Sequence, residues 1–294
     1  MLPAAARSRL IWIKSRPALT HSRAFRAAIV DNVRMVTEND SAISLDLARL
    51  RRNCAECSLH GLCLPAGVDG EDLGRLDAVV QRRKPLQPGE TLFRAGDPLG
   101  SVFVASEGAF KTIGINEAGE EHVLGFHLPG ELFGLDAIGS GFHRCDAVAL
   151  TAARVCELPF AALASIASQL PSLQQQLLRV IGQSTDRDHD HVDVLSRRHA
   201  SERIALFLHG LGERYRRIGR PADDFRLPMS RDEIARYLGL ALETVSRGFS
   251  RLHEDGVIEV AGRRVRVLDA AALHEAANGC EADTGRQQRK SGRA

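Results

Sequence analysis

The spacing of glycines between residues 85 and 159 constrains the fold of this chain more than any other sequence feature. Eleven of the 26 glycines lie there, and they separate six short apolar runs. Short strands at near-regular spacing with glycine turns between them are typical of a β-roll or jelly roll. The runs that predict strands are residues 91–93, 101–104, 110–115, 122–126, 146–150 and 155–158.

After Pro159 the pattern changes from strand to helix. Residues 171–198 are rich in Gln and Leu, and a seven-residue repeat aligns six of them on one seam. These six are Leu177, Ile181, Ser184, Asp188, His191 and Leu195. Such a seam can pack on its own domain or form a dimer. Its polar centre favours a conditional dimer, because Asp188 facing its copy would bring two carboxylates together in a partly dry interface. We therefore predict that Ile181 and Asp188 form a dimer switch.

Residues 226–268 predict a winged helix-turn-helix. Ser230 and Glu233 form a capping-box pair that opens the first helix, and Gly239 allows the tight turn after it. The second helix is predicted over residues 241–254. Its apolar stripe consists of Leu242, Val245, Phe249 and Leu252. The wing is a predicted hairpin of segments 257–260 and 265–268.

Three side chains of the second helix are suited to reading base edges. Glu243, Ser246 and Arg247 stand at i, i+3 and i+4, so they project together from the first turns, the part of a recognition helix that enters the major groove. Arg can bond guanine, Glu can accept from cytosine, and Ser can contact either base of a pair. The alternative is a solvated helix with an intrahelical ion pair between Glu243 and Arg247.

Three cysteines within ten residues predict a metal centre. Cys54, Cys57 and Cys63 have the spacing C-x2-C-x5-C. Thiolates select zinc or iron–sulfur clusters, and a four-thiolate cage needs one more cysteine. The candidates for it are Cys145, Cys156 and Cys280. His60 could instead complete a Cys3His zinc site. Incidental buried thiols and a thiol–disulfide pair are the remaining alternatives.

Composition and charge exclude several classes of protein. The 294 residues suit about two domains, and no apolar run approaches the ~20 residues that cross a bilayer. Six cysteines without a secretory segment predict reduced thiols and a cytoplasmic location. No nucleophile elbow, P-loop or HExxH motif is present, so an enzyme is not expected.

Charge is unevenly distributed along the chain, although the formal net charge is only +2. Residues 85–160 carry ten acids and four bases, whereas residues 197–220 carry seven Arg and two Glu. A polyanion would therefore bind towards the C-terminus, and we expect 197–220 and the wing to contact DNA phosphates. Residues 1–34 are basic and superficially resemble a transit peptide, but we expect Met35 to be the physiological start.

Five stretches carry a resemblance to a known family. They are residues 54–65, GFHLPG at 125–130, GLDAIGSG at 134–141, VCELPF at 155–160, and YLGL running into ETVSR at 237–247. In this combination the chain resembles the FNR branch of the CRP/FNR family of bacterial transcription regulators. The resemblance implies an α+β fold with an N-terminal β-roll like a cyclic-nucleotide-binding jelly roll, a long dimerisation helix and a C-terminal winged helix-turn-helix.

The resemblance also implies a cofactor, an oxygen-labile [4Fe-4S] cluster. The family's ligand pattern falls on Cys54, Cys57, Cys63 and Cys156, which leaves Cys145 as an extra thiol, an alternative ligand or simply a packed side chain. Cyclic nucleotide binding is not expected. The loop that holds the phosphate in the cAMP-binding branch reads GLDA at 134–137 here, and an Arg-Cys pair stands only nearby at 144–145.

The partners that the resemblance implies are a second copy of the chain, double-stranded DNA and RNA polymerase. Glu243, Ser246 and Arg247 match the family's recognition residues, which implies a palindromic site of the TTGAT…ATCAA type. Asp188 falls where the family carries an acid that opposes dimerisation until the cluster is present.

The resemblance thus implies an oxygen-responsive transcription regulator that dimerises and binds DNA without oxygen and releases DNA when oxygen disassembles its cluster. A zinc-structured or cyclic-nucleotide-responsive regulator is the alternative. The predicted segments are an extension at 1–50, a cluster-binding loop and roll at 51–160, a dimerisation helix region at 161–200, a DNA-binding domain at 201–275 and a tail at 276–294.

Overall fold

The computed structural model describes residues 54–278 and has an α+β architecture. The predicted extension at 1–50, the expected start at Met35, Cys280 and the tail from 279 onwards lie outside the described residues. Within the described part, no helix is both long and apolar enough to cross a membrane.

Two antiparallel sheets form the β-roll. The strands are β1 Gln81–Arg82, β2 Thr91–Phe93, β3 Ser101–Glu107, β4 Phe110–Ile115, β5 Glu121–His127, β6 Leu132–Phe133, β7 Asp146–Ala149 and β8 Arg154–Pro159. The first sheet has the strand order β1-β8-β3-β6 and the second the order β2-β7-β4-β5. All six predicted strands are present, with ends that differ by up to three residues. The sequence analysis missed β1 and β6, because two-residue strands carry no alternation to detect.

Aromatic side chains fill the space between the two sheets. Phe93, Phe103, Phe110 and Phe133 contact one another with ring centroids 5.2 to 6.4 Å apart. Gly134 follows β6 in a left-handed conformation (φ 82°), and a Cβ there would lie 3.1 Å from the Phe103 ring. Glycine is therefore the residue that lets this loop close over the aromatic core.

Helices flank the roll and connect it to the C-terminal domain. They are α1 Gly70–Val79, α2 Phe160–Ala167, α3 Pro171–Ser196 and α4 Ala200–Arg217. The long helix predicted over 171–198 is confirmed as α3, which begins with proline at its first position, where the missing N–H costs nothing. Helices α1 and α4 were not predicted.

The C-terminal domain is a winged helix-turn-helix. Its elements are β9 Asp224–Arg226, α5 Arg231–Leu238, α6 Leu242–Glu254, β10 Ile258–Ala261, β11 Arg264–Val267 and α7 Ala270–Ala277. The capping box predicted from Ser230 and Glu233 is confirmed, with both reciprocal hydrogen bonds formed. Gly239 has φ 62°, which allows α5 to turn into α6. Strand β9 adds a third strand to the predicted hairpin.

Candidate functional site

Four cysteines from two distant segments line one cavity. Cys54, Cys57 and Cys63 come from the irregular segment before α1, and Cys156 comes from β8. The cavity has a volume of about 30 Å³. His60 also lines it, so the structure leaves both ligand sets considered above within reach of the same space.

Strand alternation aims Cys156 at the cavity. Cys156 pairs with Val104 of β3, and these two residues line the cavity together with Leu158. Val155, one residue earlier, points into the aromatic core on the opposite face. The placement of Cys156 is therefore a consequence of its register in β8.

Burial raises the pKa of three of these thiols, Cys54, Cys63 and Cys156. Desolvation raises the pKa of Cys63 to about 12 and also raises the pKa of Cys156. Desolvation and then a hydrogen bond with the Asp77 carboxylate raise the pKa of Cys54. Asp77 Oδ1 also accepts a hydrogen bond from the backbone N–H of Cys54 at 2.9 Å. Neutral thiols tolerate the apolar walls, whereas a bound metal would stabilise the thiolates.

The donor set fits a four-thiolate centre in number and chemical type. Among residues 54–278, however, no three His, Cys, Asp or Glu side chains are grouped closely enough to hold a single metal ion. Cys145 does not line the cavity. It is buried in the aromatic core, where its Sγ donates to Asp136 Oδ2 at 3.5 Å. This environment agrees with the reading of Cys145 as a packed thiol.

A buried glutamine joins the cysteine segment to the long helix. Gln176 of α3 donates from Nε2 to the carbonyl oxygen of Cys63 at 3.0 Å. Leu173 and Val180, on the same face of α3, belong to the hydrophobic cluster that Cys63 and Cys156 pack against. The sequence analysis missed Gln176, although its spacing from Leu173 and Val180 is that of an inward-facing helical stripe.

The exposed face of α3 differs in part from the predicted seam. Leu178 and Val192 are each 64% exposed and Leu195 is 39% exposed. Thr185 and Asp188 are exposed between them, and Ile181 is half-buried. The exposed series is thus 178, 181, 185, 188, 192 and 195, which keeps the heptad spacing, Ile181 and Asp188.

Three predicted seam positions lie inward of this exposed series. Leu177 packs against the core cluster beneath the cysteines, and Ser184 is half-buried. His191 stacks on Tyr237 of α5 with ring centroids 3.8 Å apart, and its Nε2 lies 2.8 Å from the Tyr237 carbonyl oxygen. The more exposed face is therefore shifted by one residue from the predicted seam at alternate positions, because adjacent positions of a polar helix give nearly the same periodicity. The dimer seam itself stays a prediction.

Helix α6 presents a free face beside its packed one. Glu243, Ser246 and Arg247 are exposed, while Val245 and Phe249 are buried against the domain. Leu242 was predicted in the apolar stripe, but it is 41% exposed. The intrahelical ion pair considered as the alternative is not formed. Instead, Arg247 Nε donates weakly to the Glu243 carbonyl oxygen at 3.4 Å.

Two ion pairs, one half-buried and one exposed, dock the first helix of the helix-turn-helix on the roll. Lys111 of β4 donates to Glu233 of α5 at 2.8 Å, and Arg236 of α5 donates to Glu121 of β5 at 2.9 Å. Glu233 therefore caps α5 and ties it to the roll at the same time. These two pairs were invisible to sequence reasoning, because their partners are more than 110 residues apart.

The expectation that residues 197–220 contact DNA phosphates fails for two of its arginines. Arg203 donates to the carbonyl oxygens of Arg197 and Leu238 at 3.0 Å each. Arg214 forms a two-point ion pair with Glu131, at 2.9 and 2.7 Å. The basic composition of this segment serves internal packing of α4 at these positions. A count of charges cannot distinguish a buried arginine from a solvated one.

A β-roll, a long helix with an exposed heptad face and a winged helix-turn-helix together define a DNA-binding transcription regulator. Comparison with known proteins agrees. A family model described as "Cyclic nucleotide-binding domain" matches residues 83–169, and one described as "Crp-like helix-turn-helix domain" matches residues 202–276.

Similar proteins of known function identify the branch of the family to which the chain belongs. The chain is 47% identical over 227 residues to the "Transcriptional activator protein anr" of Pseudomonas aeruginosa, covering 77% of this chain and 93% of that protein. It is 40% identical over 225 residues to the "Fumarate and nitrate reduction regulatory protein" of Escherichia coli K12, covering 76% and 90%. The solved structure of FixK2 from Bradyrhizobium japonicum matches with a TM-score of 0.61 and 31% identity, covering 67% of this chain and 96% of that one. The chain belongs to the FNR-type branch of the CRP/FNR family of transcription regulators, which are not enzymes.

Proposed function

We propose that this regulator is an oxygen-responsive transcription activator whose [4Fe-4S] cluster controls dimerisation and DNA binding. The cluster's ligands would be Cys54, Cys57, Cys63 and Cys156. When bound, the cluster supplies an oxygen-labile cross-link between the cysteine segment and β8. The similarity to the transcriptional activator of Pseudomonas aeruginosa supports activation of transcription as the output.

The observation that carries this proposal is the core that α3 shares with three of the four cysteines, Cys54, Cys63 and Cys156. Gln176 bonds the Cys63 carbonyl, and Leu173 and Val180 pack in the same cluster as the cysteines. A change in the packing of the cysteine segment must therefore move the inner face of α3. Because a helix is stiff along its length, its outer face moves with it.

The outer face would form the dimer. Leu178, Ile181, Val192 and Leu195 supply apolar contacts at heptad spacing. Asp188 lies between them, so a dimer brings two carboxylates together. At a separation of about 5 Å and an effective dielectric constant of about 20, their repulsion is on the order of 3 kcal/mol. This repulsion keeps the protein monomeric unless a cluster bound by the cysteines favours association of two α3 helices.

DNA recognition would then follow from symmetry. Two copies of α6 related by a twofold axis enter successive major grooves, about 34 Å apart, and read a palindrome of the TTGAT…ATCAA type. Glu243, Ser246 and Arg247 supply the base contacts, and RNA polymerase is the expected partner at the promoter. Cyclic nucleotide is not the expected effector, since four phenylalanines occupy the interior of the roll.

The test compares two single-thiol variants. Affinity for a TTGAT…ATCAA duplex is measured with and without oxygen for the wild type, Cys156→Ser and Cys145→Ser. The wild type and Cys145→Ser should bind only without oxygen, and Cys156→Ser should bind in neither condition. Cys145 is a matched control, because it is a buried thiol of the same roll outside the cavity.

Two outcomes would overturn the proposal. If Cys156→Ser binds as the wild type does, β8 supplies no ligand. If the wild type binds equally well in air and carries zinc, the Cys3His alternative with His60 stands in its place.

A further inference from the structure

A second, polar pocket lies on the other side of the cysteine segment. Its walls come from residues 61–62, the turn between β5 and β6, α3 and α4. Four arginines line it, namely Arg179, Arg187, Arg214 and Arg217. Glu131 is the one carboxylate among its lining residues. The lining therefore carries a formal excess of three positive charges.

The carboxylate is already fully engaged. Both oxygens of Glu131 accept from Arg214, and Glu131 Oε2 also accepts from the backbone N–H of Leu128 at 2.8 Å. The remaining arginines have no ion-pair partner among residues 54–278. Arg187 donates only to the Leu132 carbonyl oxygen at 3.3 Å. Burial lowers the pKa of Arg187, and the charge of Glu131 opposes that shift. A partly desolvated guanidinium that no carboxylate hydrogen-bonds gains stability when an anion reaches it.

We propose that this pocket binds a phosphate group of a small anion. Guanidinium groups match the oxygens of phosphate in geometry and charge. The volume is about 80 Å³, which is enough for one phosphate group. Arg179 and Arg217 are exposed at the rim, so the remainder of a larger ligand would project into solvent past them.

The pocket is lined both by the cysteine segment and by α3. Gly61 and Leu62 belong to the cysteine segment, and Gln176, which bonds Cys63, lines the pocket as well. Arg187 immediately precedes Asp188 of the exposed face of α3. An anion held here would neutralise positive charge between the cysteine segment, α3 and α4. This inference stands on the charges of the pocket and does not require the cluster.

The test is calorimetric titration of the full-length chain at fixed ionic strength. Inorganic phosphate and a sugar monophosphate are the two probes, because one chemistry could come from either source. We expect at least one to bind with a Kd of about 1 mM or tighter. Arg187→Gln and Arg179→Gln should each weaken binding about tenfold, the effect of losing one charge-assisted hydrogen bond. The exposed Arg94→Gln should leave the Kd unchanged.

The outcomes separate cleanly. The probe that binds more tightly identifies the source as free phosphate or a phosphorylated metabolite. Absence of binding by both probes at 10-fold above the expected Kd overturns the proposal. So does binding that survives unchanged in both variants, and Arg179→Gln keeps the test valid if Arg187→Gln fails to fold, since Arg179 is exposed.

Discussion

The ion pair between Arg214 and Glu131 links the roll to α4, and its removal should be severely destabilising. Burial alone would raise the pKa of Glu131, but the charge and hydrogen bonds of Arg214 and the charge of Arg187 lower it to about 2. Against an ordinary value of 4.5, and at about 1.4 kcal/mol per pKa unit, this corresponds to about 3 kcal/mol. Arg214→Met would also leave Glu131 buried and unpaired, so we expect a loss of about 3–5 kcal/mol.

The assay is urea unfolding at pH 7, followed by circular dichroism. Arg214→Met combined with Glu131→Leu should recover most of the loss, because neither charge then remains buried. Arg216→Met is the matched control, since Arg216 pairs with Glu213 on the surface of the same helix and should cost below about 1 kcal/mol. A loss below 1 kcal/mol for Arg214→Met, or a double variant as unstable as the single one, would refute the reasoning.

Three further predictions follow from the described contacts. Asp188→Ala should lower the dimer dissociation constant in air on the order of 100-fold, because it removes the repulsion between two carboxylates. Asp190→Ala, off the exposed face of α3, should leave that constant unchanged, and sedimentation equilibrium measures both. Arg247→Gln should weaken binding to the palindrome by about 1–3 kcal/mol and leave non-specific binding nearly unchanged, as measured by fluorescence anisotropy. Burial lowers the pKa of His127 to about 3, so the free energy of unfolding should depend on pH below pH 6.5. His127→Phe should flatten that dependence, and His189→Gln should not.

The sign of the His127 effect follows from proton linkage. The unfolded imidazole takes up a proton as the pH falls below its ordinary value of 6.5, whereas the folded one stays neutral until about pH 3. Its contribution to stability is therefore present above pH 6.5 and is lost as the pH falls, by at most about 1.2 kcal/mol between pH 7 and 5.5. The buried Nδ1 of His127 has no hydrogen-bond partner among the described residues, which agrees with a neutral ring.

Each of the predictions for Asp188, Arg247 and His127 can be contradicted by a specific result. If the Asp188→Ala protein is monomeric in air, repulsion between Asp188 carboxylates is not what prevents dimerisation. Equal loss of specific and non-specific binding in Arg247→Gln would make Arg247 a phosphate contact. Parallel pH profiles of the wild type and His127→Phe would mean that His127 takes up a proton as readily in the folded as in the unfolded state.

Local sequence signals predicted local structure well. The capping box of Ser230 and Glu233 and the turn at Gly239 appear as expected, since each is decided by neighbours in the chain. The convergence of Cys54 and Cys156 could not come from spacing alone. The family resemblance pointed to that pair, and the physical cause is the register of β8 against β3.

Long-range contacts set the limit of sequence reasoning. Arg214 was counted with a basic segment, and only the fold brings it to Glu131, 83 residues earlier. The predicted seam shared Ile181 and Asp188 with the exposed face but missed Leu178 and Val192, because the side of α3 that is covered depends on the roll and on Tyr237 of α5. Burial, rather than periodicity, selects between adjacent helical stripes.

The most direct test of the proposed oxygen sensor is the iron, acid-labile sulfide and zinc content of protein purified without oxygen, with the visible spectrum followed as air is admitted. The account predicts about four irons and four sulfides per chain and a colour that bleaches in air, as a four-thiolate [4Fe-4S] centre requires. One zinc per chain with no colour change would contradict it, and would leave a DNA-binding regulator whose cysteines have a structural role.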